Sequence, residues 1–161
     1  MGSVLTREAL VQSRKQLKRE GKKVVFTNGC FDILHRGHIE YLHQAKLLGD
    51  VLIVGLNTDD SVRILKGPSR PVVPQEDRAV LLAALADVDV VTLFAEATPI
   101  ELIRAVVPDV LVKGADWKIE EVVGKDIVEA AGGVVRTIDF LPNRSTSDII
   151  AKIRHSGMTQ L

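Results

Sequence analysis

Two histidines flanking a glycine, in His35-Arg36-Gly37-His38, are the residues of this 161-residue chain whose types and spacing are best suited to chemistry. They close the stretch V-V-F-T-N-G-C-F-D-I-L-H-R-G-H (24–38), in which a β-branched run breaks at Asn28-Gly29 before the histidines. A strand that stops at a glycine and leads into a helix is the α/β arrangement that binds ligands at the carboxyl ends of strands. Backbone N–H groups around 29–31 and a helix N-terminus near Gly37 favour an anion, and Gly37 lacks the side chain that would hold a ligand off. Two imidazoles there can donate hydrogen bonds to phosphate oxygens. A structural pair of histidines is the plainer reading. Zinc is a third, but His35, His38 and Cys30 have no fourth ligand at a recognised spacing, and His43 falls on a different helix face from His38.

Hydrophobic periodicity supplies the elements that would position this stretch. Residues 6–20 have helical spacing (Leu5, Ala9, Leu10, Leu17) with Thr6 as N-cap and Gly21 as stop. They predict a leading helix (1–21) packed on a domain over 22–161. Strands are predicted at 22–27, 50–57, 88–94, 109–113 and 133–138. Helices are predicted at 37–48, 59–65, 75–86, 98–106 and 125–131, and from Ser145 or Thr146 through 153. Thr98-Pro99 supplies N-cap and first residue for the helix at 98–106. This alternation predicts one α/β domain, a five-stranded parallel sheet with right-handed crossovers and helices on both faces.

Composition sets limits. With 46% hydrophobic residues but only four Phe, one Trp and one Tyr, the chain suits a single aliphatic core. Its 21 basic and 21 acidic residues cancel, leaving no global field for nucleic acid or an anionic membrane, so any anion site must be local. The apolar runs at 51–56 and 88–93 are too short to cross a bilayer. No signal-peptide pattern opens the sequence, and the single cysteine, Cys30, excludes an internal disulfide and fits a reducing cytoplasm.

Four of the five predicted strands run into polar, glycine-containing or basic loops, which a parallel sheet can gather on one edge. Lys66-Gly67-Pro68-Ser69-Arg70-Pro71 is a proline-stiffened basic loop where Lys66 and Arg70 could oppose a phosphate. Lys113-Gly114-Ala115-Asp116-Trp117 follows the fourth strand, and Ser145-Thr146 stands at a helix start, where it can cap the helix or bind phosphate. Cys30 has no sequence neighbour that would make it a thiolate and is read as a small loop residue.

G-C-F-D-I-L-H-R-G-H resembles the G-x-F-D-x-x-H-x-G-H signature of the cytidylyltransferase-like nucleotidyltransferases, and Ser145-Thr146-Ser147 before Ile149 resembles their S-[ST]-T-x-I segment. T-N-G-C-F-D-I-L-H, L-K-G-P-S-R-P-V, L-V-K-G-A-D-W and T-P-I-E-L-I are most similar to the adenylyltransferase domains of ADP-heptose synthases, a resemblance covering residues 21–153. It implies a Rossmann-like enzyme in which a heptose 1-phosphate attacks the α-phosphate of ATP in line, magnesium accompanying the ATP. The products would be ADP-heptose, for lipopolysaccharide, and pyrophosphate. A cytidylyltransferase acting on glycerol 3-phosphate and a non-catalytic nucleotide-binding domain are the alternatives.

The resemblance also implies residue roles. His35 and His38 would bind the triphosphate and stabilise the α-phosphoryl transition state. Lys46 and Arg78 would be further basic groups near the phosphates, the competing accounts being a solvated lysine and a surface ion pair of Arg78 with Glu76 or Asp77. Thr27, Asn28, Gly29, Cys30 and Phe31 would lend backbone donors, and Gly37 would let the nucleotide lie against the helix start. Lys113, Gly114, Asp116 and Trp117 would surround base and ribose, with Ala115 standing where such relatives usually have a second glycine; Trp117 could stack or simply pack. Ser145 and Thr146 would hold the β- and γ-phosphates. Asn28, Asp32, Lys66 and Arg70 would face the sugar phosphate, although Asp32 could instead hold the loop in shape or bind magnesium. No metal site built by the protein is expected. A homodimer is implied, and a separate sugar kinase upstream, since many relatives carry the kinase fused and these 161 residues leave no room for one.

Overall fold

In the computed structural model, which describes residues 1–142 and 144–157, the two most apolar runs lie side by side at the centre. Strands β2 (Val24–Gly29) and β3 (Val51–Asn57) pair in parallel from Val24 opposite Val51 to Gly29 opposite Leu56. Beyond β3 lies β4 (Val90–Phe94), and on the other side of β2 lie β5 (Val110–Gly114) and β6 (Val134–Ile138). Helices cover both faces, so the strands are hydrophobic throughout rather than alternating. Val25, Leu52, Val54 and Val112 meet α2 (Arg36–Lys46) and α4 (Gln75–Ala83) through Leu42, Ala45, Ala79 and Leu82. Phe26, Ile53 and Leu111 meet α1 (Arg7–Arg19), α5 (Ile100–Val106) and α6 (Lys125–Ala130) through Leu10, Leu102, Ile103 and Val128. Burying each such side chain contributes about 1.5–3 kcal/mol, and a one-residue slip would exchange the two sets, so the register is tightly held.

The sheet is parallel as expected but has six strands, in the order β1-β4-β3-β2-β5-β6. The added strand, β1 (Ser3–Val4), pairs with β4, and Gly2, Ser3 and Leu5 donate to the carbonyls of Ala83, Asp89 and Val91 at 2.8–2.9 Å. Two residues are too few for a periodic pattern, so the leading segment reads as a helix alone although it is also tied into the sheet edge. Strand β2 likewise runs on through Asn28 and Gly29, because β3 offers Gly55 and Leu56 as partners; the break comes at Cys30-Phe31. Helix α4 stops at Ala83, and Pro99 rather than Thr98 precedes α5, without a side-chain cap.

From β2 the chain winds outward through β3 and β4, then returns to lay β5 and β6 on the opposite side. The reversal between β2 and β5 is the switch point at whose carboxyl edge such sheets open a crevice. Two further helices border that edge. Helix α3 (Asp59–Lys66) leaves the end of β3, and α7 (Thr146–Gly157) starts beside the loop after β2, where the Thr146 hydroxyl donates to the Ile33 carbonyl at 3.4 Å. The expected end of the domain at 161 lies outside the described residues. Among the described residues no helix is long and apolar enough to cross a membrane.

Candidate active site

The turn after β2 is built around a strained residue and two stacked rings. Phe31 has φ 43°, a left-handed conformation uncommon for a bulky side chain, and its ring meets His38 edge-on with centroids 5.2 Å apart. His35 is the N-cap of α2, its Nδ1 accepting from the Gly37 N–H at 3.1 Å. A neutral His35 therefore carries its proton on Nε2. The His35 and His38 rings stack at 3.9 Å and 23°. A Cβ on Gly37 would sit 2.9 Å from His35 Cε1, so the room that this glycine leaves is filled by the His35 imidazole rather than left open for a nucleotide.

His38 Nδ1 is buried with no hydrogen-bond partner among the described residues. Burial, and then the neighbouring His35, lower the His38 pKa to about 4, so the ring is neutral at pH 7. An unpaired buried N–H costs more than an unpaired ring nitrogen, which favours the proton on Nε2. His35 is also shifted down by burial, with Asp148 pulling the other way. The pair thus presents neutral N–H donors rather than cations.

Two arginine clamps, one buried and one half-buried, hold the surrounding loops. The Asp32 carboxylate, its side chain fully buried, accepts from Arg70 Nε and from the N–H groups of Val72 and Val73 at 2.8 Å. Burial pushes this carboxyl up, but the Val73, Val72 and Arg70 hydrogen bonds outweigh it and the net shift is downward. Both residues line the cleft as partners of each other, and Asp32 is the residue that shapes the loop. Arg78 is 0% exposed. It donates to the carbonyls of Val73 (2.9 Å), Cys30 (2.6 Å) and Asn57 (2.9 Å) and to Asp59 (2.7 Å). It therefore neither approaches the phosphates nor pairs with Glu76 or Asp77, but ties the turn after β2 to the end of β3.

Lys46 is not at this edge. Eight residues of helix carry it about 12 Å back from His38, to where its ammonium meets Asp89 Oδ2 and the Asp50 carbonyl at 2.5 Å, before β4 and β3 begin. Thr27 is buried inside the sheet, its hydroxyl 2.7 Å from that of Tyr41. Ser145 caps α7 by accepting from the Asp148 N–H at 3.1 Å, while Thr146 and Ser147 face the cleft.

The cleft itself measures about 450 Å³ and brings together Asn28 to Phe31, His38, Lys66, Lys113, Trp117 and Thr146 from four loops. Gly114 and Asp116 line an adjoining lobe. Lys113 donates to Asn28 Oδ1 and lies 6.0 Å from the Trp117 ring. Burial brings its ammonium pKa down to about 8, against the pull of Asp116. A Cβ on Gly114 would lie 2.2 Å from the Phe140 ring, so any larger residue there displaces that ring. Burial raises the Cys30 thiol, with Lys66, Arg78 and Arg70 opposing, so Cys30 is no thiolate. Among the described residues no three His, Cys, Asp or Glu side chains converge as a metal site. Tyr41, Asn57 and Phe140 also border the cleft and were not singled out by spacing, whereas Ser147, part of the Ser145-Thr146-Ser147 segment, was. Phe140 had one usable signal, as an aromatic two residues beyond a strand's carboxyl end.

The family model described as Cytidylyltransferase-like matches residues 26–152, from β2 through most of α7. The chain belongs to the cytidylyltransferase-like family. It is 55% identical over 153 residues to the Bifunctional protein HldE of Wolinella succinogenes, covering 95% of this chain and 31% of that one. It is 59% identical over 136 residues to that of Citrifermentans bemidjiense, covering 84% and 28%. The chain thus spans about three tenths of the length of these relatives. The solved structure of a lipopolysaccharide core biosynthesis protein from Thermoplasma volcanium superposes with a TM-score of 0.63 at 31% identity, covering 75% of this chain and 98% of that one. This member of the cytidylyltransferase-like family is a nucleotidyltransferase, and the cleft at its switch point is the candidate active site.

Proposed function

We propose that the chain is an adenylyltransferase that joins D-glycero-D-manno-heptose 1-phosphate to ATP, giving ADP-heptose and pyrophosphate. The carrying observation is the His35–His38 turn. It puts the neutral His38 imidazole, with its proton on Nε2, on the wall of a cleft whose other walls bring Lys66, Lys113 and the start of α7, and stacks the His35 ring behind it at 3.9 Å. Phosphoryl transfer asks the protein mainly for positioning and charge stabilisation, and N–H donors fixed before the reaction supply both. The choice of sugar and base is supported by the sequence stretches similar to ADP-heptose adenylyltransferases, by the HldE relatives, and by the structural neighbour named for lipopolysaccharide core biosynthesis.

In this reading His38 and His35 donate to the α-phosphate as charge builds on it, and Thr146 and Ser147 hold the departing phosphates. Lys66, which has no ion pair among the described residues, meets phosphate charge from the opposite loop. The acceptor phosphate attacks directly, without an enzyme-bound intermediate, since Cys30 is protonated and, among the described residues, no other nucleophile of the cleft is hydrogen-bonded to a base. Magnesium would come bound to the triphosphate and screen its charge; the buried carboxylate of Asp32 is already committed to three donors. The test is pyrophosphate release from ATP and CTP across a panel of acceptors that includes heptose 1-phosphate and glycerol 3-phosphate. Turnover with ATP and heptose 1-phosphate is the expected outcome; turnover confined to CTP and glycerol 3-phosphate would overturn the reading.

A further inference from the structure

Three residues, Asn28, Lys113 and Trp117, border both of two lobes that open from the cleft. The lobe on the α2 side, about 160 Å³, is walled by Cys30, Phe31, His38 and Gly114. The lobe on the α5 side, also about 160 Å³, is walled by Asn57, Phe94, Thr98 and Pro99. Lys113 is the cation on the seam between them. Its ammonium has three N–H groups and Asn28 Oδ1 accepts one, while no carboxylate of the described residues forms an ion pair with it. Asp116 pulls on this ammonium from a distance but does not offset its burial, so a substrate anion that reaches the remaining N–H groups would supply the direct partner that it lacks.

We infer that Lys113, held at the seam by Asn28, binds the phosphate of the acceptor and sets it against the α-phosphate, so that the α5-side lobe receives the sugar of a sugar 1-phosphate. The inference rests on the function proposed above. His38, which lines the lobe on the α2 side, would hold the triphosphate there, with the start of α7 bordering the main cleft beside it. In-line displacement then requires the nucleophile on the face of the α-phosphorus away from the pyrophosphate, which is the seam. An acceptor oxygen, already anionic, forms the new bond to the α-phosphorus. The bond from that phosphorus to the bridging oxygen breaks, and its electron pair leaves with pyrophosphate. No proton has to move, but two phosphate groups must be brought together against their repulsion, and one ammonium shared between them offsets it. The assignment gives Lys113 to the acceptor rather than to the base.

Lys113→Met keeps the volume and removes a buried charge, so the fold is expected to survive, which thermal unfolding checks. The KM for heptose 1-phosphate should rise at least about tenfold. The dissociation constant of α,β-methylene-ATP, read by calorimetry, should stay within about threefold of the parent. A merely structural lysine would not produce the accompanying pH signature. In the parent the acceptor KM should climb above pH 8, as the Lys113 ammonium with its pKa of about 8 loses its proton. Lys113→Arg should flatten that climb. A variant that weakens the nucleotide and spares the acceptor, or changes neither, overturns the inference. If the parent turns over no sugar phosphate, the proposed function fails first. The seam is then read by titrating inorganic phosphate into the complex with the ATP analogue. Tighter binding to the parent than to Lys113→Met supports the assignment, and equal or undetectable binding to both overturns it.

Discussion

Replacing Arg78 by methionine should cost this protein much of its stability while leaving the cleft's ligand groups chemically intact. The guanidinium is fully buried, and its four hydrogen bonds run to three backbone carbonyls and to Asp59, whose side chain is 24% exposed. Removing it leaves the carbonyls of Val73, Cys30 and Asn57 without this donor and Asp59 without its counter-charge. Breaking a buried pair in this way costs about 3–5 kcal/mol, a large part of the roughly 5–15 kcal/mol that holds a domain together. With a urea m-value of about 2 kcal/mol/M, the midpoint of unfolding should fall by about 2 M. Arg78→Lys restores the charge from a single point, which cannot reach acceptors on the β2 turn, the end of β3 and the segment before α4 together, and should recover less than about half of the loss. Urea titration followed by far-UV circular dichroism measures all three proteins. A midpoint shift below about 0.5 M for Arg78→Met, equivalent to about 1 kcal/mol, would refute the clamp.

His38 carries a pH prediction with a definite sign. Its folded pKa of about 4 lies below the unfolded value of about 6.5, so the unfolded chain binds more protons between these limits and stability falls as pH drops from about 6.5 to 4. His38→Gln should flatten that part of the stability curve, measured by urea midpoints at half-unit pH steps; an unchanged slope would remove the buried neutral imidazole. Gly114→Ala should drive the Phe140 ring off its position, because the new methyl would lie 2.2 Å from it, and nucleotide affinity should fall by about tenfold with little change in melting temperature. Calorimetry with α,β-methylene-ATP decides it. Lys46→Met should leave kcat/KM within about twofold of the parent, since the ammonium is committed at the far edge of the sheet. A large loss in kcat would restore Lys46 to the phosphates.

The central sheet was legible because its strands are short apolar runs bounded by glycine, proline and charge, and the His35–His38 turn because its residue types are so unlike those of a core. What sequence spacing conceals is distance along an element and burial. Lys46 and His38 share a helix, and spacing says nothing of its last turn standing at the opposite edge of the sheet. Arg78 reads as a surface charge beside Glu76 and Asp77, yet its acceptors come from residues 30, 57, 59 and 73, which only the fold assembles. The partners of Asp32 lie 38 to 41 residues further on. Strand β1 was hidden for a different reason, since its two residues are held by backbone hydrogen bonds that carry no side-chain pattern.

The basic groups at the carboxyl edge divide by chemistry. Arg78 engages four acceptors at once, as a planar fork with five donors can, and Arg70 is committed to the buried Asp32 carboxylate, so both serve to fix loops. Lys66 and Lys113, single-point cations, are left with donors for a ligand. Between them stand two imidazoles held neutral by burial, which give hydrogen bonds without adding charge. A site built in this way presents few free cations to solvent and does not rely on bulk positive charge to retain a triphosphate. The stabilisation it offers is directional, concentrated where the phosphoryl group changes charge, and strongest once the cleft is closed to water. That division explains how a chain of zero formal net charge can carry an anion site on one edge, and why the strained Phe31 and the crowded Gly37, which aim the histidines, matter as much as the charges around them.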